Sequence, residues 1–396
     1  MSSYCSNGAG QENVVPFHTY LLKVASRCNI NCSYCYVYHL ADQRWKLQPH
    51  FMSADTARQT VRRIREHLQT HDKKSLMLTF HGGEPLLGGI KQLSEIVKVA
   101  DEELTAYGMD VQFSMQSNLT LLTEEIADFL LEHKIKTGTS LDGPPRWNNV
   151  FRIDHQGRGT SEAAERGLAI ITAPKYRSIW AGILSVINPF SDPIEVLEYL
   201  RLYSPPLIDF LYPLNHYDNL PAGKKDDINS TVYGDWLIQA FDHWWKLGAN
   251  PDIRIFSSIM RLCCGLSSQV ESLGAQVIDL VVVESNGDIE GLDSLKATYD
   301  GATCLSANVF ETDFNTVARH AMVRFRQSGM DQLCHTCRIC PVVKVCGGGY
   351  IPHRYSKQAG YDNPSIYCRD LEKLIRHIHL TLAGTLETVT VSEGVV

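Results

Sequence analysis

Apolar residues first fall into a regular rhythm at HTYLLKVAS, residues 18–26, a short run that reads as a strand. Behind it, SADTARQTVRRIREHLQTH (53–71) repeats its apolar positions at helical spacing, with Ser53 in place as an N-cap. The alternation then continues. LMLTF (76–80), DVQFSMQ (110–116), KTGTS (136–140), WAGILSVI (180–187) and LIDFLYPL (207–214) are strand-like. IKQLSEIVKVADEELTAYG (90–108), TEEIADFLLEHK (123–134), SEAAERGLAIITA (161–173) and DPIEVLEYLRLY (192–203) are helix-like. Strands separated in this way by helices predict a parallel α/β sheet or barrel over roughly 16–215.

Past the barrel the texture changes. A loop leads to the aromatic-rich helical stretch TVYGDWLIQAFDHWWKLG (231–248) and a second helical piece around 252–266. IDLVVVESNGDIEGLDSL (278–295) predicts a hairpin turning at Asn286-Gly287. From there to about 375 the chain is rich in cysteine and glycine, as in a small module built around ligands. The expected organisation is a disordered lead-in over 1–15, a barrel over 16–225, a helical bridge over 226–277, a cysteine-rich domain over 278–380 and a frayed tail over 381–396.

Composition narrows the class. With 44% hydrophobic and 20% charged residues, the 396-residue chain is an ordinary globular one. Its net charge of −7 and lack of a Lys/Arg-rich block argue against a nucleic-acid partner. No apolar run approaches the ~20 residues of a membrane helix, and no secretory signal opens the chain. A cytoplasmic location is expected. Twelve cysteines are many for a reducing compartment, and they cluster at 28–35 and 334–346, with Cys368 beyond. Such grouping points to metal or cluster ligation rather than to disulfides.

Cys28, Cys32 and Cys35 follow the first strand, where a barrel places its active site. Three thiolates on a [4Fe–4S] cube leave one iron open to a substrate or cofactor. A zinc site completed by His39, or a chance group of buried thiols, is the alternative. Other strand ends carry polar groups as well. Gly82, Gly83 and Glu84 follow strand two, with glycines for close backbone approach and a carboxylate suited to an ammonium or sulfonium. Gln116, Ser117 and Asn118 follow strand three, Ser140 and Asp142 strand four, and Asn188 strand five. Arg152 is a candidate carboxylate partner. Any one of these is equally a loop or cap residue; their gathering at one face of a predicted barrel favours function.

Together these residues resemble the radical S-adenosylmethionine (SAM) superfamily, whose C-x3-C-x2-C motif here is Cys28-Asn29-Ile30-Asn31-Cys32-Ser33-Tyr34-Cys35. The resemblance implies a partial (β/α)6 TIM-like barrel and a [4Fe–4S] cluster whose open iron chelates SAM. It gives Gly83 and Glu84 to the methionine ammonium, Ser140 and Arg152 to ribose and carboxylate, and Tyr34 to adenine. Asn118 and Asn188 match binding positions more loosely. The C-terminal region resembles the SPASM extension, which implies that Cys337, Cys340, Cys346 and Cys368 ligate an auxiliary [4Fe–4S] cluster. A structural zinc knuckle is the alternative. The pattern is broken at Tyr350 and Leu292, where a second auxiliary cluster has cysteines. Cys263, Cys264, Cys304 and Cys334 either replace them or are idle thiols. Asp293 stands where sulfatase-maturating relatives carry a catalytic aspartate, as a general base or as a turn residue.

VVVESNGDIEGLDSLKATYDGA, CRICPVVKVCGGGYIPHRYSKQAGYDNPSIYC and YVYHLADQRW are further similar to cyclophane-forming radical SAM/SPASM peptide maturases. That resemblance implies an oxidoreductase joining an aromatic ring carbon to a nearby β-carbon in a ribosomally made precursor peptide. It also implies a reducing partner such as flavodoxin or ferredoxin. Thioether formation, epimerisation and sulfatase formylglycine maturation are rival reactions; a zinc-binding module without catalysis is a rival class, which brown colour in anaerobic protein excludes. A thiol–disulfide oxidoreductase using Cys337 and Cys340 lacks the thioredoxin-like context.

Overall fold

The computed structural model describes residues 14–393. The expected lead-in, apart from its last two residues, lies outside the described residues, as do residues 394–396.

All the strands expected in the barrel form, with boundaries close to the periodic runs. They are β1 (Thr19–Ala25), β2 (Ser75–Gly82), β3 (Asp110–Ser117), β4 (Lys136–Ser140), β5 (Trp180–Val186) and β6 (Leu207–Leu211). They lie side by side in chain order and pair in parallel. Helices return the chain between them, as parallel pairing requires. The helix Ala54–Thr70 starts as expected: the Ser53 hydroxyl accepts from the Thr56 amide at 3.1 Å. Tyr20, Leu22 and Val24 of β1 are buried with Leu76, Leu78 and Phe80 of β2 in the main core.

The sheet does not stop at the barrel. A two-residue β7 (Asp252–Ile253) extends it past β6. On the other side, β8 (Leu280–Val283) pairs in parallel with β1, matching Thr19 to Leu280 and Leu22 to Val283. β9 (Asp288–Glu290) turns back on β8 as the predicted hairpin, with Gly287 at φ +91° in the turn, and β10 (Cys304–Asn308) follows antiparallel. The hairpin expected within a separate cysteine-rich module is therefore an extension of the barrel sheet.

The bridge is helical, as expected, over Val232–Lys246 and Arg254–Cys263. The helix Cys368–Glu393 runs well into the stretch expected as a tail from 381. That helix is fixed at its start by Asp370, which accepts from the amides of Tyr233 (3.0 Å) and Gly234 (2.8 Å) and pairs with Lys224 at 2.7 Å. The carboxylate caps the first turn of the helix Val232–Lys246, where free amides favour an anion. Cys368, two residues earlier, is thereby held against the bridge. Among the described residues no helix is long and apolar enough to cross a membrane.

Candidate active site

The loop after β1 carries Cys28, Cys32 and Cys35, none of them in a disulfide. Its backbone is tied to the segment beyond β4, with Asn31 N donating to Ile153 O at 2.6 Å and Ser33 N to Phe151 O at 2.9 Å. Burial pushes the Cys28 thiol up to about 12, with Glu84 and the other two cysteines adding to it, and Cys35 up to about 11. Cys32 is raised as well, again chiefly by burial. Three sheltered thiols that oppose one another's ionisation form a donor set suited to a cationic centre, since metal ligation needs the thiolate. His39 does not complete this set: it is exposed and lies 2.7 Å from Asn31 Oδ1.

Glu84 is 1% exposed and joins two strand ends. Its Oε1 accepts from Leu86 N (3.0 Å) and Ser117 Oγ (2.8 Å), and its Oε2 from Asn118 N (2.8 Å). A carboxylate offers about four acceptor positions, so Oε2 retains one for an ammonium. Burial raises the Glu84 carboxyl despite these donors. Next to it, a Cβ on Gly83 would lie 2.0 Å from the Tyr38 hydroxyl oxygen and 2.2 Å from Arg27 O. No side chain fits there. Asn118 Nδ2 reaches Cys28 Sγ at 3.7 Å and Asn29 Oδ1 at 3.0 Å, linking this turn to the cysteine loop.

Tyr34 hydrogen-bonds on both sides: its hydroxyl donates to Asp142 Oδ2 at 2.6 Å and accepts from Arg152 Nη1 at 2.9 Å. Asp142 Oδ1 accepts from Val186 N at 2.9 Å, so the trio also fixes β5. Ser140 Oγ accepts from Gln116 Nε2 at 2.9 Å. Asn188 acts in a turn, its Oδ1 accepting from Phe190 N at 3.1 Å.

Asp293 enters from the far end of the chain. Its Oδ2 accepts from Lys23 Nζ and, at 2.7 Å, from the Tyr36 hydroxyl; Lys296 Nζ lies 3.7 Å from Oδ1. Burial alone raises such a carboxyl, but the Lys23 and Lys296 ammonium groups overcome it and hold Asp293 well below the usual carboxylate range. Lys296 also pairs with Glu284 and, at 2.8 Å, with Glu290. His81, beside Lys23 at 3.2 Å, is kept neutral down to about pH 3 by burial and by that ammonium. Lys23, Tyr36, His81 and Lys296 were not singled out from sequence. The one available signal was a lysine inside the apolar run YLLKVA.

At the C-terminal end, Cys337, Cys340, Cys346 and Cys368 all line one cavity of about 480 Å³. Their spacing and shared cavity fit a four-thiolate cluster. The positions of a second auxiliary cluster do not fit one. Leu292 is buried with Ile278, Leu295, Ala302 and Ile351, and Tyr350 packs on that group with its hydroxyl on Glu271. Of the other thiols among the described residues, Cys263 and Cys264 end the helix Arg254–Cys263 and Cys304 is exposed on β10, whereas Cys334 packs with Leu333 against the candidate ligand Cys337.

Comparison with known proteins bears directly on this geometry. The family profile described as the Radical SAM superfamily matches residues 22–202. An uncharacterized protein of Methanothermobacter thermautotrophicus is 31% identical over 58% of this chain and 79% of its own length. The chain belongs to the radical SAM superfamily. A cysteine-type anaerobic sulfatase-maturating enzyme of Clostridium perfringens is 25% identical over 91% of this chain and 96% of its own. Among solved structures, native anSMEcpe with bound AdoMet and Cp18Cys peptide superposes with TM-score 0.78 at 22% identity, over 94% of this chain and 99% of that one. Streptococcus suis SuiB bound to precursor peptide SuiA gives 0.58 at 16%, over 90% and 77%. This radical SAM chain thus shares the fold of the SPASM-type anaerobic sulfatase-maturating enzymes, and its superfamily implies a [4Fe–4S] cluster and SAM, for which Cys28, Cys32 and Cys35 are the candidate ligands. Those three thiols, the spare acceptor on Glu84 and the crowded Gly83 turn fit that pair of groups.

Proposed function

We propose that this radical SAM maturase forms a cyclophane, joining an aromatic ring carbon to the β-carbon of a nearby residue in a ribosomally synthesised precursor peptide. The observation that carries this reading is the pairing of an enclosed Asp293 with a filled second-cluster position at Leu292 and Tyr350. It adds to the sequence resemblance of residues 281–302 and 337–368 to cyclophane-forming enzymes.

When bound, the cluster and SAM supply a carbon-centred radical able to take hydrogen from an unactivated C–H. Cys28, Cys32 and Cys35 would hold the cluster. Gly83 and Glu84 would receive the ammonium of SAM, with Arg152, Ser140, Asn118 and Asn188 around the rest and Tyr34 near the adenine. Asp293, ionised throughout the physiological range, accepts the proton that an aromatic ring must lose to regain aromaticity after a carbon adds to it. Lys23, Tyr36 and Lys296 keep that carboxylate aimed and charged. Cys337, Cys340, Cys346 and Cys368 would hold the auxiliary cluster as electron acceptor, with flavodoxin or ferredoxin as the external reductant.

The decisive experiment pairs the protein with any short, aromatic-containing peptide found encoded beside its gene. A product lighter by about 2 Da per ring, the loss of two hydrogens, with a new carbon–carbon bond by NMR supports the proposal. A second reading, formylglycine formation on a sulfatase peptide, is favoured by the end-to-end likeness to sulfatase-maturating enzymes. Conversion of a cysteine- or serine-containing sulfatase peptide, with no crosslink in the encoded peptide, replaces the first reading with the second.

A further inference from the structure

Buried lysines in this chain meet carboxylates: Lys224 meets Asp370, Lys23 meets Asp293, and Lys296 meets Glu284 and Glu290. Among the described residues the buried arginines Arg152, Arg326 and Arg354 have no such ion pair, and Arg354 is the one next to the C-terminal thiols. It is 1% exposed, among the largest side chains the fold encloses. Its Nε donates to Tyr361 O at 3.2 Å, and its Nη2 to Gln332 O at 2.8 Å and Tyr361 O at 3.0 Å. These partners are neutral carbonyls. Among the described residues no carboxylate comes within ion-pair distance of it. A guanidinium cannot shed its proton to escape this situation, and a cation taken from water without an anion is strongly disfavoured.

Its location supplies the missing anion. Arg354 closes the short helical turn Ile351–Arg354, which follows three successive left-handed glycines, Gly347, Gly348 and Gly349, directly after Cys346. Those glycines fold the chain back toward the thiols. A Cβ on Gly348 would lie 3.7 Å from Arg354 Nη1, and Gly348 itself lines the cavity that Cys337, Cys340, Cys346 and Cys368 share. Burial disfavours the Arg354 charge, while the thiols of Cys337 and Cys334, the more distant Asp362 carboxylate and the Cys346 thiol act in its favour. A [4Fe–4S] group held by four thiolates is an anion, and it gains one further negative charge on reduction.

We propose that Arg354 is the built-in counter-ion of the auxiliary cluster and favours its reduced form, poising it to accept the electron released as the crosslinked ring rearomatises. The inference rests on the reading of Cys337, Cys340, Cys346 and Cys368 as a cluster site. One electron passes from the substrate-derived ring to the cluster, the ring's proton goes to Asp293, and no bond to Arg354 changes. A fixed positive charge in a dry site stabilises the more negative state, so it raises the reduction potential.

Redox titration followed by EPR tests this, using holoprotein in which Cys28, Cys32 and Cys35 are all replaced by alanine, so that the auxiliary signal stands alone. Arg354→Gln is expected to shift the reduction equilibrium at least tenfold toward the oxidised form, about 59 mV for a one-electron couple. Arg354→Lys is expected to stay near the parent midpoint. An unchanged midpoint in Arg354→Gln with iron content intact overturns the counter-ion role and leaves the cluster assignment standing. Absence of auxiliary iron from the parent protein overturns the cluster assignment itself, and this role with it. If Arg354→Gln loses the iron, retention by Arg354→Lys supports a charge role, whereas loss in both variants shows that Arg354 serves packing and overturns the proposal.

Discussion

Tyr36 and Asp293, far apart in the chain, meet at 2.7 Å, with the phenol of the cysteine loop donating to the carboxylate that follows β9. The contact ties a candidate base to the residue that follows Cys35 in the chain. Asp293→Asn keeps the shape but abolishes the proton acceptor. Product formation is expected to fall by on the order of 100-fold or more, with SAM cleavage and visible absorption retained. Wild-type product rates in that variant remove Asp293 from the chemistry. Tyr36→Phe, which withdraws one of the donors, is expected to slow the same step less.

Gly83→Ala forces a methyl group against Arg27 O and the Tyr38 hydroxyl, at 2.2 and 2.0 Å before relaxation. The turn has to move, and Glu84 with it. Displacements of this size cost on the order of 100-fold in rate when they shift a reacting group. Reductive cleavage of SAM, measured by HPLC with iron content as the control, is expected to fall by that factor. Near-normal cleavage excludes the turn from cofactor binding.

Iron analysis addresses the replaced second cluster. Anaerobically reconstituted protein is expected to hold about eight iron atoms per chain, four at each [4Fe–4S] site. Replacing Cys28, Cys32 and Cys35 together with alanine should leave about four, and so should replacing the four C-terminal ligands. About twelve in the unaltered protein means that Cys263, Cys264, Cys304 and Cys334 assemble after all.

The barrel was legible because parallel strands between helices impose a regular alternation of periods, and Ser53 marked a helix start with its own side chain. The candidate cysteine ligands stand out in the sequence by their spacing and, at the C-terminal end, by the family resemblance. What escaped was long-range: Lys23 and Lys296 reach Asp293 only after β8 docks on β1, and no local pattern encodes that pairing. The continuation of the last helix through LETVTVSE was missed for a related reason. Its β-branched residues read as non-helical locally, and the anchor that starts the helix, Asp370 on the bridge, is a tertiary contact.

Acid is expected to weaken the fold before it affects the candidate base. His67 is fully buried: its Nε2 accepts from Phe17 N at 3.1 Å, and its Nδ1 lies 2.7 Å from Asn315 Oδ1. Burial, against the opposing Asn315 contact, lowers it from 6.5 to about 4. The unfolded chain therefore takes up a proton near pH 6.5 that the folded chain refuses until about 4. Stability is complete above pH 6.5 and is lost as pH falls toward 4, by about 3 kcal/mol from this group. Melting temperatures across that window should drop in the wild type and drop less in His67→Gln. Parallel curves for the two proteins discount His67.

Because β1 carries the cysteine loop at its end and β8 along its edge, that loop and Asp293, which follows β9, share one hydrogen-bonded frame. Moving one relative to the other means tearing main-chain ladders in the middle of the sheet. The enzyme consequently works as a fixed gauge, and a substrate must bring its own reactive atoms to the right separation. Residues adjacent along a peptide do this without effort, which is the span that small, strained loops require.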